Sequence, residues 1–110
     1  MILNRLVVPE GNNIRFGIEH KEDGIQYSLK NGESYYIKII EPSEKGDIVH
    51  LSGSNTNYFD FTNHFKYGRY VFEVGISNSA GDTRIILPAL DDRLQPLNEL
   101  IILKRLEADG

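Results

Sequence analysis

Apolar and polar positions alternate with a period of two in several separate stretches of the chain, and that alternation predicts β-strands. The clearest run is 69–77, where Tyr70, Phe72, Val74 and Ile76 share one face and Arg69, Glu73, Gly75 and Ser77 fall mostly on the other. The turn residues Asn78-Ser79-Ala80-Gly81 follow, then the apolar run Thr83 to Leu87, so this stretch reads as a β-hairpin. Ile14, Phe16 and Ile18 alternate with Arg15, Gly17 and Glu19, and Tyr35, Ile37 and Ile39 alternate with Tyr36, Lys38 and Ile40. Between them, Asp23-Gly24 is a hairpin signal, and Ile25, Tyr27 and Leu29 predict a short strand. Shorter strands are expected over 2–8, closed by Pro9, over 47–51 and over 58–61. Residues 42–46 read as a break, 52–57 as a polar loop, and Thr62 to Phe65 as a single helical turn capped by Thr62. Pro88 to Pro96 reads as a loop. In 97–106, Leu100, Ile102 and Leu106 take one parity while Ile101 and Leu103 take the other. Leu97, Leu100, Ile101 and Lys104 also fit a helical period, but the Ile-Ile pair and the nearby prolines favour a strand.

Short strands separated by turn signals at close spacing indicate an all-β sandwich or barrel. We expect about seven to nine strands in a single domain over 1–110, with Phe16, Ile18, Ile37, Ile39, Phe72, Val74 and Ile86 in one core. The chain has 110 residues, enough for one core without covalent staples, and it has no cysteine, so disulfides and thiolate chemistry are excluded. Its 12 basic and 16 acidic residues give a net charge of −4, and no basic cluster exceeds Lys104-Arg105. That balance argues against a nucleic-acid surface. Residues 1–9 are apolar but lack a basic n-region and a cleavage-like site, and no apolar run approaches the roughly 20 residues of a membrane helix. The expectation is a soluble protein with no visible export signal and no membrane partner.

Candidate chemistry is sparse. His20, His50 and His64 form neither an HxH nor an HExxH pair, the aspartates are scattered over turns, and the serines include no GxSxG elbow. There is no glycine-rich phosphate loop. We therefore expect no catalytic, cofactor or metal residues, and no enzyme activity. What the pattern does offer is an apolar surplus. Tyr36 and Ile40 lie opposite the inward parity of their strand, and Ile101 and Leu103 lie opposite Leu100 and Ile102. A two-layer sandwich needs only one apolar face per strand. Part of the surplus is expected to be covered by the arm at 2–8. The rest, with Tyr36, Ile40, Ile101 and Leu103 as candidate interface residues, is expected to contact other protein subunits or a second copy. Tyr36 is the tyrosine expected to face outward, where it would suit a sugar-binding platform, with core or interface packing as the plain alternative.

Phe65-Lys66-Tyr67-Gly68-Arg69-Tyr70 carries a further local signal: a hydrophobic residue, a glycine corner and a strand-entering tyrosine. That is the signature of the tyrosine corner of immunoglobulin-like sandwiches, in which Tyr70 would bond nearby backbone. An ordinary core tyrosine is the alternative. Several segments together resemble the N-terminal domain of phage upper baseplate proteins. They are the turn and alternating strand Gly11 to Glu19, the Asp23-Gly24-Ile25-Gln26-Tyr27-Ser28-Leu29 segment, and the strand Tyr35 to Ile40. The hairpin Tyr67-Gly68-Arg69-Tyr70-Val71-Phe72-Glu73-Val74, with Gly81 and the return strand Thr83 to Leu87, completes the likeness over roughly 10–106. The Pro88–Pro96 loop and the leucine-rich end are less typical of the family. The resemblance implies an immunoglobulin-like antiparallel β-sandwich serving as a non-enzymatic structural module of a phage tail or baseplate, present in repeated copies in the virion. It carries over no catalytic residues. The rival expectation is a bacterial cell-surface or secreted immunoglobulin-like module for adhesion or carbohydrate binding.

Overall fold

In the computed structural model, which describes residues 4–41 and 46–105, the chain is all-β and has no helix among those residues. Ten strands follow in order: β1 Asn4–Pro9, β2 Ile14–Gly17, β3 Lys21–Glu22, β4 Ile25–Gln26, β5 Ser34–Ile40, β6 Ile48–Ser54, β7 Tyr58–Phe61, β8 Gly68–Ser77, β9 Thr83–Leu87 and β10 Asn98–Leu103. The most regular alternation in the sequence forms the longest strand, β8, and the large sheet is built around it. Along one edge β8 pairs antiparallel with β5, from Ile40↔Val71 to Ser34↔Ser77. Its other edge is shared. β10 takes Gly68 to Val71, and β9 takes Val74 to Ser77, with a bulge between Val74 and Gly75. β6 extends the sheet beyond β5, and β1 extends it beyond β10, so the order is β1-β10-β8-β5-β6 with β9 beside β8.

The second layer is the two-stranded sheet β2–β7, and its inward residues share one core with the large sheet. Ile14, Ile18 and Phe59 pack with Tyr35, Ile37, Ile39, Phe72, Val74, Ile76, Leu100 and Ile102. Phe16 stacks on Phe59 at 5.3 Å between ring centroids and meets Phe72 at 6.0 Å, which joins the layers. The arrangement is sandwich-like, and the expected core holds: Ile18, Ile37, Ile39, Phe72 and Val74 are buried, while Phe16 and Ile86 are partly buried against them. Tyr70 donates its hydroxyl to the Lys66 carbonyl at 2.9 Å, the bond expected of a tyrosine corner.

The structure departs from expectation in several places. The strands number ten, because Lys21–Glu22 and Ile25–Gln26 close a tiny hairpin around Asp23 and Gly24, both at positive φ. Tyr27 and Leu29 still turn toward the core but join no ladder. Ser52, Gly53 and Ser54 belong to β6 rather than to a loop. Thr62 to Phe65 form no helical turn; the Asn63 side chain accepts from the Phe65 amide at 3.1 Å and donates to the Pro9 carbonyl at 3.2 Å, pinning this segment to the end of β1. The sheet is not purely antiparallel, since the arm runs parallel to β10 from Asn4↔Asn98 to Pro9↔Leu103. The arm therefore lengthens the large sheet and does not lie over its second face. The helical alternative for 97–106 fails, because Asn98–Leu103 is a strand with Leu100 and Ile102 buried. Residues 42–45 of the expected break, the first residues of the arm and Leu106 lie outside the described residues.

Candidate functional site

The inner face of the large sheet is covered by β2–β7, and no strand among the described residues lies across its outer face. Register places Arg5 and Val7 of β1, Glu99, Ile101 and Leu103 of β10, and Val71, Glu73 and Gly75 of β8 on that outer face. Tyr36, Lys38 and Ile40 of β5, Leu51 and Gly53 of β6, and Ile85 of β9 share it. All four candidate interface residues thus stand on one surface, Tyr36 and Ile40 on one strand, Ile101 and Leu103 on another.

They do not stand there equally. Tyr36 takes the outer face as expected, yet it is only 8% exposed. It is flanked in register by two glycines, Gly53 and Gly75. A Cβ at Gly75 would come within 2.5 Å of the Tyr36 ring edge and hydroxyl, and 2.6 Å of the Arg84 carbonyl, so the ring lies down across β8 where a side chain is missing. Its hydroxyl donates to Glu73 Oε2 at 2.9 Å, and Lys38 Nζ stands 3.6 Å from the same oxygen and 5.8 Å from the centre of the ring. Loss of water around the phenol, then the bond to Glu73 and its charge, push the Tyr36 hydroxyl up to about 12. Such a phenol stays protonated and donating at every physiological pH. With its ring packed down, Tyr36 offers no open aromatic face for a sugar to stack on.

Around Glu99 the outer face is closed by its own side chains, with Arg5 and Glu99 in contact at 3.5 Å and Val71 buried beside them, while an open cleft of about 470 Å³ lies between Tyr36, Lys38, Leu51 and Gly53. The open apolar atoms of this face lie at the margins. On the β1–β10 side, Val7 is 52% and Leu103 47% exposed, with Ile101 half-buried between strands. On the β6 side, Leu51 is 63% exposed and Ile48 and Val49 are also exposed, with Ile40 half-buried next to them. Sequence parity brought Ile101 and Leu103 to the right face. It missed Val7, Leu51 and Ile85, which sit in runs too short or too mixed to reveal a parity. It also missed Lys38 and Glu73 as partners of Tyr36. Gly75 inside a strong strand was the available signal, because a glycine there marks close approach of another group.

Other polar clusters are local clamps. Glu22 accepts from Arg84 Nη1 at 2.6 Å and lies 3.4 Å from His20 Nε2, and the Arg84 guanidinium covers the Tyr27 ring at 5.3 Å. Tyr27 donates to Glu33 at 2.6 Å. These bonds tie the β3–β4 hairpin to β9 and to the turn at Asn31-Gly32. They hold the Glu22 and Glu33 carboxyls below the usual carboxylate range, the first mainly through Arg84 and the second mainly through Tyr27. His50 stacks on Phe61 at 4.4 Å and bonds the Ser52 hydroxyl. Burial first, and His64 second, lower its pKa. Among the described residues no three His, Asp or Glu side chains stand close enough to hold a metal ion.

No family model matches the chain, and neither the curated proteins nor the solved structures include a detectable match.

Proposed function

We propose that this chain is a non-enzymatic structural module that works by contact with other protein subunits, of the kind found in a phage tail or baseplate. The observation that carries the reading is the outer face of the large sheet: uncovered, closed around Glu99, and apolar at both margins, with Leu103 and Leu51 well exposed. The strand order supports an immunoglobulin-like fold. β5, β8 and β10 correspond to the C, F and G strands, β6 to C′, and β2 and β7 to B and E of the facing sheet, with Tyr70 at the corner that opens F. That fold agrees with the resemblance to baseplate N-terminal domains.

Two measurements test the proposal. Light scattering over a concentration series, on wild type and on Val7→Ser, Ile101→Ser and Leu103→Ser, is expected to show association that these substitutions weaken without altering the circular dichroism. Unchanged behaviour in all three variants removes the β1–β10 margin from the reading. The gene neighbourhood tests the phage assignment: flanking tail genes support it, and flanking genes for secreted or cell-wall proteins transfer the chain to an adhesion role. A second reading, carbohydrate binding, has one observation in its favour. An open cleft of about 430 Å³ is lined by uncharged groups that include Gln26, Ser28, Asn55 and Asn57, beside Tyr27 and Tyr35. Saccharide binding that Gln26→Ala and Asn55→Ala abolish would establish it.

A further inference from the structure

The large sheet ends in a strand whose outer edge pairs with nothing among the described residues. β6, Ile48-Val49-His50-Leu51-Ser52-Gly53-Ser54, holds neither a formal charge nor a proline. Protein sheets protect edges with lysine, proline, brevity or cover, because a bare row of peptide groups templates pairing with another chain. The other edges of this molecule carry such devices. β1 has Arg5 and Pro9, β2 has Arg15 and only four residues, and β9 has Arg84. β6 has seven residues, and burial, with His64 second, lowers the pKa of its one imidazole.

Ladder geometry fixes which groups are free. The Glu41 amide bonds the Asp47 carbonyl, so the odd-numbered residues of β5 direct their peptide groups toward β6. Register pairs them with even-numbered residues, Ile39 with His50, Ile37 with Ser52 and Tyr35 with Ser54. Leu51 and Gly53 therefore turn their N–H and C=O groups away from β5, toward the open edge. The register shift between Ile39 and Ile40 lies at the Val49 end and leaves these two residues in regular ladder.

We infer that β6 pairs antiparallel, about a two-fold axis through Leu51, with β6 of a second copy, joining two large sheets into one continuous sheet. This rests on the reading of the chain as an assembly module and names one of its partners. The strand is complementary to itself in that register. Leu51 meets Leu51 of the other copy, with both peptide groups free and both side chains exposed on the same outer face. Val49 stands opposite Gly53 on either side of the axis, so a large side chain meets a glycine there, and the register shift at Val49 ends the regular pairing. His50 stands opposite Ser52. No like charges are opposed, and the relation is isologous, as closed dimers require.

The test uses the full chain. Sedimentation velocity over a concentration series is expected to show a monomer–dimer equilibrium that Leu51→Pro weakens at least about tenfold. Proline removes an N–H that β5 does not use, so the fold is expected to survive, with unchanged circular dichroism. Amide exchange supplies an independent reading should that variant not fold: the Leu51 and Gly53 amides are expected to gain protection as wild-type concentration rises. Wild type that stays monomeric at millimolar concentration overturns the inference, as does a dimer with fast Leu51 exchange or one indifferent to Leu51→Pro. Weakening by Leu103→Ser with Leu51→Pro silent rejects the edge pairing and retains the face as assembly surface. The converse retains the edge pairing and rejects the β1–β10 margin. A wild type that binds only a different protein overturns the edge pairing while leaving the assembly role intact.

Discussion

Gly75 and Tyr36 are one unit, and the absence of one side chain sets the position of the other. Gly75→Ala places a methyl group inside the Tyr36 ring and against the Arg84 carbonyl, a backbone atom that cannot swing aside. We expect a loss of about 1–3 kcal/mol in chemical denaturation, typical of overpacking. Tyr36→Phe keeps the ring over Gly75 but leaves Glu73 with Lys38 as its remaining partner, and is expected to cost about 1 kcal/mol. His50 adds a pH term. Its folded pKa lies below the ordinary 6.5, so below that pH the unfolded chain binds the proton more readily. Stability is therefore full above pH 6.5 and falls as the pH drops from there through the folded pKa. Glu22 and Glu33, lowered from 4.5, act in the window beneath. The melting temperature of wild type is expected to fall between pH 7 and pH 5, and that of His50→Gln to fall less. An equal fall would assign the effect to other groups. At this scale the sequence was legible in outline only. Tyr36 had the right face, but its burial depends on a glycine some forty places on in the chain, which alternation along a single strand does not report.

β7 and β8 appear where the sequence placed them, β7 with Phe59 and Phe61 turned in against exposed Tyr58 and Asp60, and β8 with its alternation intact although Val71 and Gly75 on the outer face are buried as well. Ser52-Gly53-Ser54 has turn composition and still forms strand, since the ladder to β5 continues through it, with Gly53 in register with Tyr36. Thr62 to Phe65 has a helix-start composition, but Asn63 bonds locally and to β1 instead. Two element-scale predictions follow from these bonds. Tyr70→Phe removes the hydroxyl bond to the Lys66 carbonyl and is expected to cost about 0.5–1.5 kcal/mol by denaturation, with unaltered far-ultraviolet circular dichroism. Asn63→Ala leaves the Phe65 amide without its side-chain acceptor and the Pro9 carbonyl with the Asn12 amide alone, and is expected to cost about 1–3 kcal/mol. If its stability matches wild type, this segment is not what holds the end of β1.

How the elements pair across the molecule was the least legible level. Alternation says that a strand has a buried face, but not which strand lies beside it. The parallel match of β1 to β10 joins residues from opposite ends of the chain, and the sharing of one β8 edge between β10 and β9 has no local signature. These pairings decide where the apolar surplus goes, and hence why it collects at the sheet margins. They also bear on whether the chain is one cooperative unit. The β2–β7 sheet has two strands and would not persist alone in water. Its Ile14 and Phe59 are buried only because Ile37, Ile39 and Phe72 of the large sheet complete the same core. The large sheet, in turn, has its apolar inner face shielded by β2–β7. We therefore expect a single unfolding transition, with far-ultraviolet circular dichroism and tyrosine fluorescence tracing the same curve and calorimetric and van't Hoff enthalpies in agreement. Phe59→Ala removes a ring that is 2% exposed and stacked on Phe16. It is expected to lower stability by about 3–5 kcal/mol and to move both signals together. If Phe59→Ala instead separates the two curves, the layers fold independently and the chain is not a single domain.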